Sequence, residues 1–131
     1  MIIPNDPRQW ERDAFCFLTT IGRTTGNPHT IEIWFALDPA DPTRLAMMAG
    51  GGRKSDWVRN IEQNPEVTIK LGALLIPATA RLVAPDEAND PLIRRLLVEK
   101  YRSPSQPLDT WGRTALPVLY TLHLDAANPV E

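Results

Sequence analysis

The stretch LAMMAGGGRKSDWVRNIEQNPEVTIKL, residues 45–71, decides the architecture. Leu45 to Ala49 is an apolar run too short for a helix, and the glycines at 50–52 end it, which predicts a short strand that stops abruptly. Ser55 is an N-cap type of residue with Asp56 in the turn behind it. Trp57, Val58 and Ile61 fall on one face and Asn64-Pro65 closes the segment, so a short helix is predicted through Gln63. Val67 to Leu71 is rich in β-branched and aliphatic residues and reads as a strand again.

Outward from this stretch the same alternation continues. Upstream, Asp6 and Pro7 predict one or two helical turns over residues 6–13, with Trp10 stapling them to the core. Phe15 to Thr20 and His29 to Leu37 read as two strands joined by the loop Gly22 to Pro28, and Asp38-Pro39-Ala40-Asp41-Pro42 as a turn. Downstream, Leu74 to Ala84 reads as a strand in which Pro77 implies an edge or a bulge. Asp86 to Tyr101 is the longest helical segment, its regular part starting near Pro91, and Leu92, Ile93, Leu96 and Leu97 recur at helical spacing. Residues 102–113 read as irregular, and Leu116 to Leu124 as a last strand. The sum is about six strands and three helices in one domain spanning residues 1–131, a predominantly antiparallel β-barrel with peripheral helices.

Composition excludes several classes. A chain of 131 residues with a formal charge of −2 has no global attraction for nucleic acid. Cys16 is the single cysteine and lies in the apolar run Ala14 to Leu18, so no disulfide forms within one chain and the thiol is expected in the core. No uncharged apolar run approaches the roughly 18 residues of a spanning helix. Asn5, Asp6, Arg8 and Glu11 do not look like a secretory leader, and the cytoplasm is the expected compartment. His29, His123 and Cys16 have no metal-ligand spacing, and no nucleophile motif occurs. A redox cofactor would bring its own reactivity, and the protein would then need only to bind, orient and shield it.

Two segments carry features suited to that task. In Met47 to Trp57 the glycines allow close approach of backbone N–H groups, and Arg53 and Lys54 add positive charge at a helix start, which makes a phosphate cradle. In Thr20 to Pro28, Arg23, Thr24 and Thr25 can hold a second acidic group. Trp57 offers a stacking edge and Trp34 an aromatic wall. Glu32 alternates out of the apolar face and is expected in solvent.

The series Leu18 to Pro28, then Gly50 to Asn60, then Asn64-Pro65-Glu66-Val67 resembles the deazaflavin-dependent nitroreductase and quinone reductase family, over about residues 14–124. The resemblance implies a mainly β (α+β) fold, a six-stranded antiparallel split β-barrel of the pyridoxamine-phosphate-oxidase-like type. It also implies an enzyme that passes hydride from the reduced deazaflavin coenzyme F-420 to a quinone, enone or nitro-type acceptor. By position, Arg23, Thr24 and Thr25 would hold the anionic tail, and His29, Ile31, Ile33 and Trp34 would line the groove. Met48, Ala49 and Gly50 would lie along the ring system, with Trp57, Val58 and Asn60 closing it.

The chain also departs from the family pattern. Better known members have a serine and a lysine where this chain has Ala49 and Gly50, and Arg53 and Lys54 are expected to replace the lost charge. The tyrosines that some members carry before the tryptophan matching Trp111 are replaced by Pro104, Ser105, Pro107 and Leu108, which leaves Tyr101 or solvent to supply a proton. Two alternatives stand beside this reading: an oxidoreductase of the same fold that uses flavin mononucleotide (FMN), and a non-catalytic flavin or deazaflavin carrier. A purely structural barrel would bind neither cofactor. The expected partner is a small-molecule redox acceptor, with no nucleic acid and no membrane span, in a monomer or a homodimer.

Overall fold

The computed structural model describes residues 5–130, so the expected single domain over residues 1–131 extends beyond the described residues at both ends. After a 3-10 turn at Pro7–Trp10, capped by the Asp6 carboxylate, come the strands β1 (Cys16–Ile21), β2 (Pro28–Ile33), β3 (Ala36–Asp38) and β4 (Asp41–Ala49). Helix α1 (Asp56–Gln63) leads to β5 (Glu66–Leu71) and β6 (Leu74–Leu82). Then follow α2 (Asn89–Tyr101), α3 (Asp109–Thr114), β7 (Leu116–Leu122) and the two-residue β8 (Asn128–Pro129).

All pairings are antiparallel, and the sheet runs β2-β1-β5-β6-β7-β4-β3, with β8 added beside β6. The curled sheet encloses Leu18, Leu45, Met47, Ile69, Ile76, Val118 and Tyr120. Because side chains alternate along a strand, Ala46, Met48 and Leu119 face the other way, where Ile93 and Leu97 of α2 cover them in a second core. Each fully buried aliphatic side chain of this kind contributes about 1.5–3 kcal/mol.

The structure differs from the sequence expectation in four places. The strand expected over His29 to Leu37 is two strands, separated at Trp34 and Phe35, because Tyr101 and Lys100 hold the Phe35 backbone. Together with β8 this raises the count, among the described residues, from the expected six to seven strands and a short eighth. Pro77 sits in β6, a central strand rather than an edge. Its carbonyl accepts from the His123 N–H at 2.9 Å, on the β7 side, and pairing of β6 with β7 starts only at Ala78 opposite Leu122. The N and O of one strand residue point the same way, so the missing proline donor falls where β7 has ended. Residues 109–113, expected to be irregular, fall in α3, which follows Leu108 with its left-handed backbone of φ 65°. Ser55 is the N-cap of α1, yet its side chain makes no capping hydrogen bond.

Trp10 does staple the N-terminal turn to the barrel. It packs over Gly72 in the β5–β6 turn, where a Cβ would lie 2.2 Å from the indole and φ is +56°. Only glycine meets both conditions.

Candidate functional site

Two cavities open along β2. The larger, about 640 Å³, lies between the β1–β2 loop and α1, and its wall includes Arg23, Thr24, Thr25, His29, Asp56 and Asn60. The smaller, about 310 Å³, is lined by Phe15, Glu32, Ile33, Trp34, Met48 and Trp111. Ile31 faces the first and Ile33 the second, so one strand runs from a polar end to an aromatic end.

Asn60 organises the polar end. This residue is 4% exposed, and its carboxamide nitrogen donates to the Thr20 hydroxyl at 3.0 Å. Its oxygen accepts from both the Arg23 backbone N–H (3.2 Å) and the Arg23 Nη1 (2.9 Å). The guanidinium also reaches the Asp56 carbonyl, at 3.4 Å, and its carboxylate, at 3.1 Å. The Asp56 side chain is 87% exposed. Trp57, next along α1, lines the same cleft. A Cβ at Gly22 would lie 2.8 Å from the His29 ring, so a larger residue there would displace that ring.

At the aromatic end, Trp34 and Tyr101 stack with ring centroids 4.3 Å apart, and Trp111 meets Trp34 edge-on at 5.5 Å. The Tyr101 hydroxyl accepts from the Phe35 N–H and donates to the Phe35 carbonyl, both at 3.1 Å. Burial pushes this phenol up to about 12. Lys100 Nζ donates to the same carbonyl at 2.9 Å and lies 3.6 Å from the centroid of the Phe35 ring. Burial lowers its ammonium to about 8.

The structure thus brings together Arg23, Thr24, Thr25, His29, Ile31, Trp57 and Asn60 in one cleft, and Ile33, Trp34 and Met48 in the adjoining one. It does not bring the others there. Ala49 and Val58 are buried in the packing. Gly50 lies beside the Trp111 indole, 3.4 Å from where its Cβ would be. Arg53 and Lys54 sit in a 3-10 turn over Gly52–Lys54 that lines neither cavity. That turn uses backbone donors internally, Lys54 N–H to Gly51 and Ser55 N–H to Gly52, and Arg53 reaches Glu62 at 3.5 Å. The Tyr101 hydroxyl is engaged with backbone and opens onto neither cavity. Sequence reasoning missed Asp56 as a wall of the cleft; Glu32 is exposed, as expected, and also borders the smaller cavity.

The donor set fits a long amphiphilic cofactor. Arg23 and two threonine hydroxyls suit an acidic tail, while isoleucine and tryptophan side chains suit a flat ring system.

Among known protein families, residues 5–122 match that described as F420H(2)-dependent quinone reductase. An F420H(2)-dependent quinone reductase of Mycobacterium tuberculosis is 33% identical over 79 residues, covering 60% of this chain and 51% of the relative. The chain thus spans about half the length of the curated relatives it matches. Among solved structures, the heme storage protein HutZ of Vibrio cholerae superposes with TM-score 0.71 at 15% identity, over 93% of this chain and 90% of that one. An F420-H2 dependent reductase superposes with TM-score 0.65 at 24% identity, over 83% and 94%. These likenesses establish the fold as a split β-barrel of the pyridoxamine-phosphate-oxidase-like class.

Proposed function

Because this chain belongs to the F420H(2)-dependent quinone reductase family, we propose that it binds coenzyme F-420 along β2 and reduces a quinone or a similarly activated acceptor. The observation that carries this reading is the change in character along one strand, from the Arg23 and threonine end to the Trp34 and Trp111 end. Reduced F-420 supplies the hydride when bound.

The protein's own residues bind, orient and shield. Arg23, fixed by Asn60, presents positive charge to the acidic tail. Thr24 and Thr25 add hydroxyl donors, and Ile31 and Trp57 cover apolar surface. Trp34, backed by Tyr101 and flanked by Trp111, forms the wall against which a flat acceptor rests. Tyr101 keeps its proton at neutral pH and acts by holding Phe35, and therefore Trp34, in place. The proton needed by the reduced acceptor comes from solvent, which the open second cavity admits.

Titrating the apo-protein with F-420 while following tryptophan fluorescence tests the binding half, because Trp34, Trp57 and Trp111 border the cavities. Saturable quenching, weakened at least about tenfold by Arg23→Gln, supports it. Anaerobic oxidation of reduced F-420 by a simple quinone, dependent on the protein, tests the catalytic half. Binding without turnover would make the protein a carrier, and absence of binding would overturn the proposal.

A further inference from the structure

We infer that Asp56 sets the charge selectivity of the cleft, acting as an exchangeable internal anion that the ligand's acidic group must displace from Arg23. This inference rests on the cofactor site described under Proposed function.

The two partners of Arg23 differ in kind. Asn60 is buried, tied to Thr20, and holds both the backbone and the side chain of Arg23. Asp56 holds Nη2 at 3.1 Å through a carboxylate that is 87% exposed, and it too lines the cleft. An exposed pair of this kind is weak, because each ion keeps its hydration as an alternative. An incoming anion can therefore replace the Asp56 carboxylate while Asn60 keeps the guanidinium in position.

The displaced carboxylate stays near, since Asp56 begins α1 and its backbone carbonyl also accepts from Arg23. Its charge then repels the ligand. Arg53 does not offset this, because it lies in the 3-10 turn outside the cleft. Arg23 and Asp56 together are neutral, so the cleft offers less attraction than its arginine alone suggests. The penalty grows with the ligand's local charge and bears hardest on a phosphate monoester, which carries about −1.5 to −2 at pH 7.

The test compares wild type with Asp56→Asn, which keeps a side-chain oxygen for Arg23, by titration with F-420, FMN and riboflavin. Riboflavin differs from FMN only by the phosphate. Removing one charge at about 4 Å in a watery environment is worth about fivefold in affinity per unit of ligand charge. The expected result is tighter binding of F-420 by about fivefold or more, a larger gain for FMN, and no gain for riboflavin. At about 1 M salt, where the screening length falls to about 3 Å, the gains should shrink towards unity. Equal binding of F-420 by the two proteins overturns this inference alone. Gains for riboflavin matching those for FMN, or gains that persist in high salt, overturn it as well. If F-420 binds neither protein, both this inference and the cofactor proposal fail.

Discussion

The Trp34 indole lies flat on the Tyr101 phenol, with ring planes 3° from parallel and centroids 4.3 Å apart. Trp34 directly follows the edge strand β2 and Tyr101 ends α2, and the phenol reaches past the indole to grip the next backbone unit, Phe35. One side chain thereby breaks a strand and backs a wall of the site.

Tyr101→Phe keeps the stacked ring and removes both hydrogen bonds. A stability loss of about 1–2 kcal/mol is expected, since the Phe35 N–H loses its partner while Lys100 still serves the carbonyl. Urea denaturation measures it. Turnover should fall less than about tenfold, whereas a loss of about 10²-fold or more would restore Tyr101 as a proton donor.

Lys100→Met tests the buried ammonium. Burial lowers this group to about 8 from an ordinary value of 10.5, so the folded state releases its proton before the unfolded state does. Between about pH 8 and 10.5 the unfolded chain binds more protons, and stability contributed through Lys100 rises with pH. Wild type should therefore gain stability relative to Lys100→Met across that window and show a constant difference below it. Denaturation of both proteins at several pH values decides the matter.

Tyr120→Phe should leave stability unchanged or raise it by about 1–2 kcal/mol. The Tyr120 hydroxyl is fully buried inside the barrel without a hydrogen-bond partner among the described residues, and such a group costs free energy that phenylalanine does not. A clear loss of stability in equilibrium unfolding would mean that the hydroxyl has a bound-water partner.

Asn60→Ala removes the link between Thr20 and Arg23. A loss of about 2–3 kcal/mol is expected from stranding buried partners, together with weaker F-420 binding at temperatures where the variant is folded. Calorimetry and fluorescence titration report the two effects separately. Unchanged affinity in the folded variant would show that Arg23 needs no fixed partner.

Much of this architecture was legible along the chain where neighbours in sequence determine structure. The apolar runs of β1, β4 and β7 and the one-sided face of α1 follow local pattern, and so does the glycine exit from β4. Phe35 was not legible, because its strand break is imposed by residues 65 and 66 positions away. Nor was α3, which is six residues long and follows Pro104 and Pro107. In the site, Arg23, Thr24 and Thr25 share a short loop and were found together. Asp56 has an ordinary explanation as a first-turn acid on a helix, and that explanation hid its second neighbour, Arg23. Arg53 was expected at the cradle, but it reaches Glu62 in the last turn of α1, nine residues on.

Pro77 acts as a ruler for the barrel. If β7 slid two residues further along β6, its ladder would meet a ring with no proton to give, so pairing halts at Leu122. At the other end of β7, Leu116 lies opposite Ala49 of β4, where the chain leaves the sheet at Gly50 beside Trp111. A side chain that lines neither cavity thus marks one end of β7, the strand whose other end meets the aromatic end of the site.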